Sequence, residues 1–118
     1  MISFPFRFHG HSSLRYVYKN GQAIRSRLMT VKYSSNPHRK KSRYSVIVSK
    51  KVLKSAVGRN RIRRRIYEII RLENEKIPGI YDVAIIVVSS EVISTSPDNL
   101  IKLIQELFES ASLYKKTL

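Results

Sequence analysis

Lys50, Lys51, Lys54, Arg59, Arg61, Arg63, Arg64, Arg65 and Arg71 fall within one stretch of chain, opposed there only by Glu68. Arginine presents a planar fork of donors that can bond two phosphate oxygens at once, and lysine adds point charge beside it. Asn60, inside the run, supplies a neutral donor and acceptor suited to a base edge or a ribose hydroxyl. At about 100° per residue on a helix, Asn60, Arg64, Tyr67 and Arg71 cluster opposite Ile62, Ile66, Ile69 and Ile70, with Arg61 and Arg63 flanking them. Arg59 falls nearer the apolar side, in the first turns, where it can project past a sheet edge. Gly58 leaves room for a close backbone approach. The bland alternative is a solvated helix face, but arginines this crowded repel one another without an anion.

Catalysis by the chain alone finds no such constellation. Glu68, Glu73, Glu75, Asp82, Glu91, Asp98, Glu106 and Glu109 show no paired spacing of the kind a two-metal site requires. Glu106 and Glu109 share a polar helix face, as solvated carboxylates do. His9-Gly10-His11 lacks a carboxylate partner and reads as a phosphate contact or plain exposure. The chemistry on offer is binding rather than bond cleavage.

Composition agrees. Twenty-three Lys and Arg against eight Asp and Glu give a net charge of +15 over 118 residues. A surplus that large strains the compact state by self-repulsion, and a polyanion relieves it. The hydrophobic fraction of 42% is ordinary for a globular chain and excludes wholesale disorder. Cysteine is absent, which excludes disulfides and thiolate metal sites. The N-terminus lacks the apolar run of a signal peptide, and the longest apolar run, Val83 to Val88, is too short to span a bilayer. A soluble, cytoplasmic protein with no membrane partner is expected. No helix-turn-helix spacing or zinc-ligand pattern points to DNA.

The elements that must position the arginines follow from periodicity. Ser12 or Ser13 caps a short helix carrying Leu14, Val17 and Tyr18, and Gly21 closes it in the usual C-terminal position. Residues 25–33, with Met29, Val31 and Tyr33 alternating, read as a strand or hairpin. Asn36-Pro37 and the basic run Arg39-Lys40-Lys41 read as an exposed turn, and Tyr44–Ser49 as a second strand, pairing antiparallel with the first. Ala56 to about Glu75 is the arginine helix, stopped by Pro78-Gly79. Asp82–Val88, apolar from Val83 onward, reads as a central strand covered on both faces. Ser96, Pro97 and Asp98 open a last helix with an apolar face of Leu100, Leu103, Ile104, Leu107, Phe108 and Ala111. Neither repeat nor linker divides the chain, so a single domain over 1–118 is expected, an α+β arrangement of about four strands with three helices.

Ser49-Lys50-Lys51 followed by Ala56-Val57-Gly58-Arg59-Asn60-Arg61-Ile62-Arg63-Arg64 resembles the signature of the bacterial ribonuclease P protein family. Arg7-Phe8, Gly21, Arg43, Asp82 and the ending Phe108–Lys116 also fall where that family places them. The resemblance implies an α/β sandwich with a left-handed βαβ crossover, shared with a small-subunit ribosomal protein domain and a domain of elongation factor G. Periodicity alone would favour the right-handed form. It implies contact with a catalytic RNA through Lys50, Lys51, Arg59, Asn60, Arg61, Arg63 and Arg64. It further implies a cleft for the 5′ leader of precursor tRNA, at positions matching Leu14, Tyr18, Lys32 and Val46. Hydrolysis would be carried out by magnesium held mainly by the RNA, with no obligate protein partner. Arg65, Tyr67 and Leu14 depart from the family's pattern, and the segment from Lys51 to Arg59 is a residue longer than in many members. The rival reading is a ribosomal or other structural RNA-binding protein, which composition alone does not separate.

Overall fold

The computed structural model describes residues 11–36 and 39–115, with the side chains of the first helix described from residue 16 onward. The chain runs α1 (His11–Asn20), β1 (Gln22–Arg25), β2 (Met29–Ser35), β3 (Arg43–Val48), α2 (Ala56–Asn74), β4 (Tyr81–Val87), a 3-10 helix (Ser90–Ser94) and α3 (Pro97–Ser110). The expected strand over 25–33 is a hairpin. Ser26 closes its turn, with its hydroxyl donating to the Met29 carbonyl at 2.7 Å and accepting from the Met29 N–H at 3.1 Å.

The four strands form one sheet in the order β1-β2-β4-β3. β2 pairs antiparallel with β1 and β4, while β3 pairs parallel with β4. The expected antiparallel pairing of β3 with the first strand is therefore wrong, because β4 lies between them. β4 is apolar on both faces, so the stable place for it is the interior of the sheet, with a strand on each edge and layers above and below.

Register decides which side chains share a face. Val31, Ile85 and Val46 stand in one row, and Met29, Val87 and Val48 in another. These join Ile62, Ile66, Ile69 and Ile70 of α2 and Leu100, Ile104, Leu107 and Phe108 of α3 in the main core. Lys32, Ala84 and Ser45 stand in a row on the opposite face, as do Thr30, Ile86 and Ile47. There α1 seats its fully buried Val17 on Ala84, with Ile47 beside it.

Helix ends match their sequence signals. Ser55 caps α2 by accepting from the Gly58 N–H at 3.1 Å, and Ser96 caps α3 from the Asn99 N–H at 3.3 Å. Gly21 closes α1 as expected, its N–H donating to the Val17 carbonyl at 2.9 Å, but no glycine has a positive φ among the described residues. Close approach requires it instead: a Cβ there would stand 2.8 Å from the Tyr33 carbonyl oxygen of β2. Tyr67 is also a correction. Placed by the helical wheel on the polar face, it is only 5% exposed. α2 crosses the outer edge of β3, where the Val46 N–H has no strand partner, and the Tyr67 hydroxyl accepts it at 3.1 Å.

Candidate RNA interface

With its isoleucines buried against the sheet, α2 turns a stripe of Val57, Asn60, Arg61, Arg64 and Glu68 to solvent. The arginines of α2 differ in what holds them. Arg59 donates to the carbonyls of Leu53 and Lys54 at 2.9 and 2.7 Å. Arg65 donates to Val92 and Thr95 at 3.1 and 2.6 Å, fastening the 3-10 helix to α2. Both guanidiniums are held by backbone oxygens, although their charge still contributes to the field. Arg63 donates to the side-chain oxygen of Asn60, which orients the amide. Arg61 and Arg64 are exposed and make no hydrogen bond or ion pair with the described residues.

The loop before α2 is built to stay in place. The N–H groups of Val52 and Leu53 both reach the Ser49 carbonyl, at 3.1 and 3.2 Å. Leu53 packs so closely on Gly58 that an added Cβ would lie 2.7 Å from its Cδ2. The close neighbour at Gly58 is therefore a leucine, where the sequence reading left room for a backbone. Lys50, Lys51 and Lys54 are exposed on this loop. A groove lined by Val57, Asn60, Arg61, Arg64 and Arg65 opens along α2. Helix, anchored loop and uncommitted guanidiniums together present donors of the kind that can bond phosphate, beside the Asn60 amide.

The residues expected in the leader cleft do not all meet. Tyr18 and Lys32 do: the Lys32 ammonium lies 5.0 Å from the centroid of the Tyr18 ring, within cation–π range. Tyr18 is 38% exposed, and burial raises its hydroxyl above the ordinary pKa, so it stays neutral. Val46 does not join them. It is 5% exposed in the core on the other face of the sheet, so a groove containing Lys32 cannot contain it. Its neighbours Ser45 and Ile47 face the α1 side instead, and a one-residue difference in strand parity accounts for the miss. The Leu14 side chain, His9 and Arg7-Phe8 lie outside the described residues. On the same face, Asp82 is held by Arg43, with both contacts at 2.9 Å, and by Asn36 at 2.8 Å. Its charge is thus matched rather than left to repel a phosphate.

Sequence reasoning assigned Arg65 no structural role, because nothing in a linear pattern marks carbonyls twenty-seven and thirty positions downstream as its partners. Among the described residues no helix is long and apolar enough to cross a membrane.

Comparison with known proteins places this architecture. The family model for ribonuclease P matches residues 5–112. The ribonuclease P protein component of Carboxydothermus hydrogenoformans is 47% identical over 74 residues, covering 61% of this chain and 62% of that protein. The chain thus matches about three fifths of that relative's length. The corresponding protein of Desulfosudis oleivorans is 28% identical over 116 residues, covering 95% of this chain and 93% of its own. For the fold, the Staphylococcus aureus ribonuclease P protein superimposes with a TM-score of 0.83 at 22% identity, over 93% of this chain and 98% of that one. With the arginine helix, the four-stranded mixed sheet and a family match spanning nearly its whole length, the chain belongs to the ribonuclease P protein component family.

Proposed function

We propose that the chain is the accessory protein subunit of ribonuclease P, docking on a catalytic RNA and assisting endonucleolytic removal of the 5′ leader from precursor tRNA. The observation that carries this is the pair Arg61 and Arg64, exposed and uncommitted on a helix whose other side is locked into the core. On this reading Lys50, Lys51, Arg59, Asn60, Arg61, Arg63 and Arg64 form the face toward the catalytic RNA. Arg61 and Arg64 bond phosphate, Asn60 reaches a base or ribose, and Arg59 orders the loop that carries the lysines. Tyr18 and Lys32, with Leu14 on the same helix, grip the leader, the ring stacking on a base and the ammonium meeting phosphate. Such a grip carries little base preference.

The chain's part is electrostatic. Two polyanions must approach each other, and a +15 protein lowers the repulsion between them. Among the described residues no three His, Cys, Asp or Glu side chains come together, so these residues offer no metal cage. Magnesium is assigned to the RNA, and the cytoplasm is the compartment where such a complex would work.

Reconstitution tests the proposal. Purified protein, the RNA subunit and precursor tRNA are mixed across a magnesium series, and the mature 5′ end is followed. Protein should lower the magnesium needed by the RNA, and protein alone should not cleave. Robust cleavage by RNA-free protein in the presence of ribonuclease inhibitor would overturn the accessory role. So would RNA-only cleavage that ignores added protein.

A further inference from the structure

We infer that the groove between α2 and α3 receives an unstacked nucleotide of the same RNA that binds the Arg61–Arg64 face, an inference that rests on the RNA-binding reading above. The groove encloses about 420 Å³, and Ile69, Leu72, Pro97 and Ile101 contribute apolar walls. Leu72 is 49% exposed, an apolar side chain left half in water near the C-terminal end of a helix that also exposes Val57 among its charges. Buried apolar surface is favourable, so a half-exposed leucine at the floor of a concave site gains from an occupant.

Two observations choose the occupant. First, Arg64 lines this groove and also the one beside Asn60 and Arg61, so the apolar site continues the phosphate-binding face without a break. Second, the rim is positive. Glu68 stands there, but its carboxylate is paired with Arg71 at 2.6 Å, which leaves Arg64 and Arg65 to set the sign. An aliphatic floor beneath an arginine rim matches a nucleotide, whose base has two apolar faces and whose phosphate meets the guanidinium. A second copy of this chain would bring another +15 against the same rim, which opposes self-association. The floor offers no hydrogen-bonding side chain, so the groove should select an unpaired, extruded base by shape with little regard to its identity.

The sequence has no cysteine, so a single introduced thiol is a unique attachment point. Leu72→Cys carrying a benzophenone is assembled with the RNA subunit and irradiated, and Arg61→Cys with the same probe serves as the reference. The expected result is cross-linking from both positions, with the Leu72→Cys product mapping to unpaired nucleotides. Leu72→Gln, at a half-exposed site, should melt like the parent protein yet bind the RNA roughly five- to thirtyfold more weakly. Its salt dependence should be unchanged, because no ion pair is lost. Cross-linking from position 61 but not 72, or unchanged affinity in Leu72→Gln, overturns the groove assignment while the arginine face stands. Cross-linking from neither overturns the RNA-binding reading itself. Protein–protein cross-links from position 72 would replace the nucleotide with a second chain.

Discussion

Replacing Arg61 and Arg64 together with alanine should separate the charges on α2 that bind from those that fold. Both side chains are exposed and unbonded among the described residues, so their removal breaks no native contact. They sit three positions apart in a crowded cationic run, and alanine is the best helix former, so the melting temperature should stay level or rise. RNA binding should change in a defined way. Each phosphate contact contributes roughly 0.7 to 0.9 to the slope of log K against log salt. If each arginine makes one such contact, the slope flattens by roughly 1.4 to 1.8. The gap in affinity between parent and variant should then close by roughly 25- to 60-fold over a tenfold rise in salt. Fluorescence anisotropy of labelled RNA across an ionic-strength series measures this directly, with thermal melts alongside. A variant that binds more weakly with an unaltered slope would refute the reasoning, since the lost contacts would not be to phosphate.

The other expectations concern the fold, the leader surface and pH. Arg65→Ala should lower unfolding free energy by roughly 1.5–3 kcal/mol, because charged hydrogen bonds to the 3-10 helix are lost and the carbonyls are left to water; an unchanged denaturation midpoint would remove Arg65 from that role. Tyr18→Ala and Lys32→Ala should weaken holoenzyme binding of precursor tRNA, with the stacking part worth roughly 1–3 kcal/mol, and spare mature tRNA. Equal losses for both RNAs would mean the pair supports the fold instead. Glu73 is 4% exposed; burial alone would raise its carboxyl, but hydrogen bonds from Tyr114, Gln105 and Lys76 outweigh it and hold the group below its ordinary pKa. A carboxyl depressed in the folded state stabilises above its unfolded value, about 4.3, and loses that contribution as pH falls through the folded value. Glu73→Gln should therefore be less stable at pH 7 and show a shallower loss on acidification, whereas parallel pH profiles in urea would contradict this.

Local signals in the sequence determined the helices. The spacing of Ile62, Ile66, Ile69 and Ile70 defined α2 and its buried side, and Ser96-Pro97-Asp98 marked the start of α3 to the residue. The unbroken apolar run of β4 announced a central strand, and the structure places it between β2 and β3. Charge pointed to a polyanion, because it depends on residue type alone, which a linear chain displays, and the resemblance carried by Ser49–Lys51 and Ala56–Arg64 narrowed that polyanion to RNA.

Pairings at long sequence separation were a matter for the tertiary structure. Whether β3 joins β2 or β4 depends on which arrangement covers both faces of β4, a property of the whole sheet. Once β3 is fixed beside β4, the side-chain period of two sends Val46 into the core and turns Ser45 and Ile47 toward α1, so a reading one residue out reverses the face. The same holds for the arginines. Composition presents them as equals, but Arg65 finds carbonyls on the 3-10 helix and Arg59 finds them on the preceding loop, while Arg61 and Arg64 find none among the described residues. Residue type determined that this helix would be basic, and the positions of distant backbone oxygens decided which of its charges remain available to a partner.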